Sequence, residues 1–252
     1  MKTSTKLIII FFMCIPTSLL AYNFILKAEY KKGNVVRDLY PKNNSFYVNK
    51  TGLPKFTHVV INGSLNVGNG GFEQWMAHVW VGGIDSSLKA DNRVGALEEL
   101  KDNLEATVKN DTLFISFHAT GKYDRFSTTW NHESDIVKIY ASKVKSVSIR
   151  FANVTIGKNP DLTDSLNLTV GDYSRFNVQN LQLQKLTVVA KDSSSVSILQ
   201  SNKIGTLNYS IQGKSILHVD GSPAQRYVAR RVDSAAMINL TGKASILQKQ
   251  LH

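Results

Sequence analysis

The sequence predicts an all-β fold, a parallel β-solenoid with coils of about 20 residues, and two observations lead to it. Short runs that alternate between apolar and polar residues recur at steps of 20, 21 and then 20 or 21 residues. A polar turn and a second alternating run follow each of them. The first runs open at Leu166, Leu186, Leu207 and either Tyr227 or Val228, and the second runs align Phe176, Val196, Leu217 and Ile238.

The alternation explains why such copies would stack. In a strand, successive side chains point to opposite faces, so each run has an apolar inner face and a polar outer face. One coil cannot bury its inward Leu and Val residues alone, whereas stacked coils form continuous internal columns. A leucine-rich repeat has a similar length, but its characteristic Leu spacing is missing here. The expected structure is therefore β-helix-like, with coils about 4.8 Å apart.

Composition limits the classes of partner. Of the 252 residues, 42% are hydrophobic and 19% are charged, and the net charge is +11. Such a basic surface favours anionic partners. The basic residues are scattered, however, and no nucleic-acid-binding module is present, which argues against nucleic acid.

The N-terminal segment, residues 7–26, is apolar and carries no charge. Twenty residues of helix span about 30 Å, the thickness of one hydrocarbon core. This predicts a single-pass transmembrane helix that holds the β-domain outside the cytoplasm. The alternative is a signal peptide cleaved after Ala21. The expected division is a membrane anchor or signal peptide over residues 1–27, a linker over 28–52 and a solenoid head over 53–252.

Elements of other kinds are predicted before the regular repeats. Asn62 and Gly63 suggest a turn, and residues 95–104 suggest one or two turns of helix. Residues 104–108 and 112–117 suggest the two strands of a hairpin.

The layout resembles a bacterial family, the auto-transporter adhesins with a head GIN domain. The resemblance rests on the N-terminal apolar segment with residues 24–30, the opening strand at 56–61 and the strand pair at 104–108 and 111–115. It also rests on the repeated strand–turn–Ser units at 171–176 and 212–217. It covers about residues 53–247. The resemblance implies a β-helix-like head on the bacterial cell envelope, and it brings no established catalytic residues with it.

Two columns of polar residues were considered as sites. Asp172, Asp192 and Asp233 are predicted to stack, with Gly213 interrupting them, and stacked carboxylates can bind a cation or transfer protons. Turn formation explains them better, since Gly replaces Asp in turns but not in chemistry. A second column comprises Ser174, Ser194 and Ser215 with Ala235 in the fourth coil. It lacks an Asp–His partner, so hydroxyls that satisfy backbone groups are predicted instead of a nucleophile.

The histidines and arginines complete the candidates. The six histidines, His58, His78, His118, His132, His218 and His252, have no zinc-ligand spacing, so no metal or cofactor is predicted. Arg226, Arg230 and Arg231 form a modest basic cluster that would contact an anionic ligand.

The predicted function is a structural or adhesive head for glycans or envelope proteins, without enzymatic activity. The alternative is a polysaccharide lyase-like β-helix enzyme acting on acidic polysaccharide, because this architecture also hosts such enzymes.

Overall fold

The structure is a computed structural model, and it describes residues 3–31, 47–50, 53–66, 72–73, 77–82, 92–97, 102–118, 136–141, 143–157 and 164–243. These stretches contain one helix and eighteen strands. The chain divides into two compact units, Met1–Lys42 and Asn43–His252. His132 and His252 lie outside the described residues.

The first unit contains the helix α1 (Thr3–Lys31), which includes Pro16. The hydroxyl of Thr17 donates a hydrogen bond to the carbonyl oxygen of Met13 at 2.9 Å, and that of Ser18 donates to Ile15 at 2.8 Å. Together with Asn23, these residues make the helix less apolar than its Leu and Ile content suggests. Among the described residues, no helix combines the length and hydropathy needed to cross a bilayer. The prediction of a transmembrane helix over residues 7–26 is therefore not supported.

The second unit is built from strands. In chain order they are β1 (Tyr47–Lys50), β2 (His58–Asn66), β3 (Phe72–Glu73), β4 (Ala77–Gly82), β5 (Arg93–Leu97), β6 (Leu104–Lys109), β7 (Thr112–His118), β8 (Val137–Tyr140), β9 (Ser146–Arg150), β10 (Ala152–Ile156), β11 (Ser165–Gly171), β12 (Arg175–Val178), β13 (Gln182–Ala190), β14 (Ser195–Ile198), β15 (Lys203–Ile211), β16 (Ile216–Asp220), β17 (Ala224–Val232) and β18 (Met237–Thr241). They form two sheets of nine strands each. Sheet A has the order β1-β5-β8-β4-β10-β12-β14-β16-β18, and sheet B has the order β17-β15-β13-β11-β9-β2-β7-β6, with β3 beside β2.

The all-β solenoid prediction is confirmed from β9 onward. Each coil adds one strand to sheet B and the next strand to sheet A, and every pair among these strands is parallel. There are about four turns of about 21 residues. Leu166 pairs with Leu186, Leu186 with Leu207, and Leu207 with Tyr227, as the repeat predicts. The inward side chains of both sheets form one buried core.

The part of the chain before β9 departs from a regular solenoid. β2, β4, β7 and β8 join the parallel ladders, but four pairs are antiparallel: β1 with β5, β5 with β8, β6 with β7 and β2 with β3. The hairpin predicted over residues 104–117 is confirmed as β6 and β7. The predicted helix over residues 95–104 is wrong at its start. Residues 95–97 belong to β5, which pairs on both sides and buries Val94 and Ala96. Tertiary pairing thus overrides local helix propensity.

The turn predicted at Asn62 and Gly63 is also wrong, because β2 continues through both residues. A Cβ at Gly63 would collide with the carbonyl oxygen of Phe151. The glycine therefore permits close approach of two backbones and does not mark a chain reversal.

Candidate functional site

The predicted column of aspartates is only partly present. Asp172 and Asp192 each begin a two-residue turn with φ of 48° and 57°, and Gly213 has φ of 60° at the matching place. Asp233 does not lie in this column. Ile211 pairs with Val232, so Ser234 follows Gly213 in register. A β-bulge between Tyr209 and Ser210 causes the shift, because it lengthens that coil step from 20 to 21 residues.

The same one-residue shift changes the predicted serine column. Ile216 pairs with Met237, so Ala236 and not Ala235 occupies the fourth coil. Ser174, Ser194 and Ser215 do align, and all three are buried. The hydroxyl of Ser194 donates to the carbonyl oxygen of Val170 at 2.9 Å and accepts from the amide of Lys191 at 3.1 Å. The hydroxyls therefore satisfy backbone groups, as predicted.

The aspartates themselves serve the turns. Asp172 forms an ion pair with Arg150. Asp233 accepts a hydrogen bond from Arg231 at 2.8 Å and another from the amide of Gly213 at 3.0 Å. The hydrogen bond from Arg231, supported by that from Gly213, holds the pKa of Asp233 below its usual 3.8. In the described part of the chain, no three His, Cys, Asp or Glu residues are close enough together to hold a metal ion.

This lowered pKa predicts a pH-dependent contribution to stability. A carboxyl whose pKa is lower in the folded state stabilises the fold above its unfolded pKa, and the contribution disappears as the pH falls through the folded pKa. We expect Asp233→Asn to be less stable than the parent at pH 7. The difference should shrink as the pH falls below 3.8. Urea unfolding at both pH values measures it, and an unchanged difference at low pH would contradict the explanation.

The histidines on the outer faces have hydrogen-bonding partners from neighbouring strands. His58 Nδ1 lies 2.6 Å from the Ser146 hydroxyl, and His218 Nδ1 lies 3.2 Å from the Asn239 amide nitrogen. Both contacts join successive levels of the stack. These residues are therefore strand residues with ordinary partners.

The three arginines lie at two places along β17. Arg226 is near the start of the strand, opposite Thr206, whereas Arg230 and Arg231 lie at the bulge. Four residues of strand separate Arg226 from Arg230, which is about 13 Å. All three side chains are exposed, but Arg231 is engaged by Asp233. Arg226 and Arg230 are in none of the described ion pairs.

A groove lies at the start of the sheet B strands, and the sequence analysis did not predict it. It arises from a bend at which the alternation of side chains breaks. In β13 the inward residues Leu183 and Leu186 are separated by two exposed residues, Gln184 and Lys185. The pairing of β13 with β15 skips Gln184. The same interval of three separates Ile204 from Leu207 and Ala224 from Tyr227.

The bend repeats in successive coils and encloses about 870 Å³. The lining residues are mostly polar and come from four levels of the stack: Asp164, Asn180, Gln182, Leu183, Gln184, Asn202, Lys203, Ile204, Gly205, Ser222, Pro223, Ala224 and Gln225. Asn202 is buried and its amide is fully used. It donates to the carbonyl oxygens of Val178 at 2.8 Å and Leu199 at 2.6 Å, and its oxygen accepts from the amide of Leu181 at 3.0 Å. Asn202 thus fixes the corner that forms one wall.

The sequence contained a signal for this groove. Leu-x-x-Leu at residues 183–186 recurs as Ile-x-x-Leu at 204–207 and Ala-x-x-Tyr at 224–227. A three-residue interval that recurs with the coil period marks a bend in an alternating strand, because inward positions are otherwise two residues apart.

A comparison with protein families identifies the fold's relatives. Residues 84–247 match the family described as "Putative auto-transporter adhesin, head GIN domain". The chain belongs to this family. The resemblance noted from the sequence is thereby confirmed.

Solved structures with similar folds include two described as putative adhesins. One, from Bacteroides fragilis, is 9% identical, with a TM-score of 0.39, and the match covers 77% of this chain and 97% of that one. The other, from Parabacteroides distasonis, is 13% identical, with a TM-score of 0.41 and coverage of 77% and 96%. A third, described as a putative lipid binding protein from Parabacteroides distasonis, is 12% identical, with a TM-score of 0.24 and coverage of 79% and 98%. No curated protein matches the chain.

Proposed function

We propose that this chain is a surface binding head that holds glycans or envelope proteins outside the cytoplasm and catalyses no reaction. The observation that carries the proposal is the outer ladder of sheet A, a row of hydrogen-bonding side chains that repeats once per coil. All its members are half-buried. They are Thr155, Asn177, Ser197, His218 and Asn239.

A repeating row suits a repeating partner. Weak contacts made at several equivalent positions reinforce one another, because the second contact is intramolecular once the first has formed. The family description, an adhesin head, supports the adhesive role. Neither the described side chains nor the comparisons supply an observation that favours the lyase-like alternative.

Acidic glycans are the partners that the basic residues of β17 favour. Arg226 and Arg230 are exposed, and no described ion pair neutralises either of them. Exposed cations attract acidic polymers and do so less strongly as salt screens them.

The test is binding of the full-length protein to acidic and neutral glycans, with a parallel pull-down from envelope extracts. We expect R226A/R230A to weaken binding to acidic glycans about tenfold at low salt, since each rim charge contributes up to about 1 kcal/mol. K143A/R175A removes the same charge from elsewhere and should bind normally. Depolymerisation of the glycan, or no binding to glycan or envelope protein, would contradict the proposal.

The location is tested separately. Protease added to intact cells should digest the β-structure, and mass spectrometry of the mature N-terminus should distinguish an intact segment from cleavage before Tyr22. A chain protected in intact cells and digested only after lysis would contradict the placement outside the cytoplasm.

A further inference from the structure

We infer that the groove at the bend of β13, β15 and β17 binds a segment of an uncharged, hydroxyl-rich polysaccharide. The inference rests on the proposed binding role, but it concerns a site other than the arginines of β17. It names both the place of contact and the class of ligand.

The chemistry of the lining favours hydroxyl groups. Gln182, Gln184 and Gln225 line the groove, their side chains are exposed, and the described hydrogen bonds involve none of the three amides. A primary amide offers two donors and an acceptor side by side, and a sugar hydroxyl is likewise both donor and acceptor. Each glutamine can therefore exchange hydrogen bonds with a neighbouring pair of hydroxyls.

The charge of the lining favours a neutral ligand. The groove contains one acidic residue, Asp164, and one basic residue, Lys203, so its formal charge is balanced. This balance is notable in a chain of net charge +11. An acidic polymer would gain more from the exposed arginines than from the groove.

The shape of the floor favours an extended chain. The backbone amide of Gln184 donates to the carbonyl oxygen of Asp164 at 2.9 Å, and the groove continues through Gly205 to Gln225. These four levels span about 15 Å at the usual strand spacing. A Cβ at Gly205 would lie 2.7 Å from the carbonyl oxygen of Gln184. Position 205 therefore has no side chain, which leaves space between the two glutamines.

The pairing of the strands argues against a peptide as the ligand. A peptide that adds to a sheet needs a strand edge with free backbone groups. β13 is flanked by β11 and β15, and β15 by β13 and β17. The groove thus offers side-chain amides at the coil spacing, which is comparable to the length of one sugar ring, and no free edge along these two strands.

The test is calorimetric titration of the full-length protein with linear neutral hexose hexasaccharides, and with a hexamer of galacturonic acid as the acidic probe. We expect at least one neutral hexamer to bind with an affinity that is unchanged between low and high salt. Q182A/Q184A/Q225A should weaken this binding about tenfold or more, since each lost hydrogen bond contributes about 1 kcal/mol. N167A removes an exposed amide from the outer face of β11 and should have no effect.

Each other outcome overturns the inference. Binding only of the acidic hexamer, with salt sensitivity, would reject the neutral class and leave the proposed function in place. Binding that survives the triple substitution would reject the groove. If no hexamer binds while envelope extracts are still captured, the groove inference fails alone, and if neither binds, both proposals fail.

Discussion

Phe176→Ala should lower the free energy of unfolding by about 3–5 kcal/mol, the usual cost of emptying a buried aromatic site. Phe176 is 0% exposed. It lies in the inner column of sheet A, between Val154 and Val196 of the neighbouring coils. Deleting the ring leaves a cavity that coils on both sides would have to fill. Urea unfolding followed by circular dichroism measures the change.

Asn177→Ala is the matched control, because Asn177 is the next residue and points to the outer face. Its amide makes one long contact, 3.5 Å to the Thr155 hydroxyl. We expect a change of about 0.5 kcal/mol or less. Equal effects of the two substitutions would contradict the assignment of inner and outer faces.

Asn202→Asp should cost about 3–5 kcal/mol at neutral pH, the range found when a buried charge loses its compensation. The amide nitrogen of Asn202 donates to two carbonyl oxygens, those of Val178 and Leu199. A carboxylate in its place would face both oxygens without a proton to donate, in a site only 3% exposed.

The pH dependence of this variant identifies the cause. Burial beside two carbonyl oxygens should raise the pKa of the new carboxyl in the folded state above its unfolded value of about 3.9. Stability should then be greatest below that unfolded value and fall as the pH rises through it. Asn202→Ala, which removes the amide without adding a charge, should show no such pH dependence. A parallel pH profile for the two variants would contradict the buried-charge explanation.

The regular half of the fold was predictable because every coil repeats the same inward columns. Leu166, Leu186, Leu207 and Tyr227 announce their register by spacing alone. The bulge at Tyr209 was not predictable, since a step of 20 or 21 residues fits the outward side chains equally well. One extra residue in β17 was therefore enough to misplace Asp233 and Ala235.

The earlier half was harder to predict because its strands pair at long range. β5 has helix-forming residues but lies between β1 and β8, and only those partners decide its conformation. The groove was missed for another reason. Its signal, an interval of three between Leu183 and Leu186, breaks an alternation and looks like noise in any single coil. It becomes informative only when it recurs at 204–207 and 224–227.

The way in which the coils stack has a consequence for how the fold comes apart. Each interior coil is held by a neighbour above and a neighbour below, whereas β17 and β18 have a strand partner on one side only in the described structure. Tyr227, Ile238 and Leu240 are accordingly only partly buried, although their counterparts one coil earlier are fully buried. Stability in such stacks is a sum of nearest-neighbour terms, so opening should begin at the last coil and advance inward as fraying. Amide protons should therefore exchange fastest in β18 and progressively more slowly towards β12.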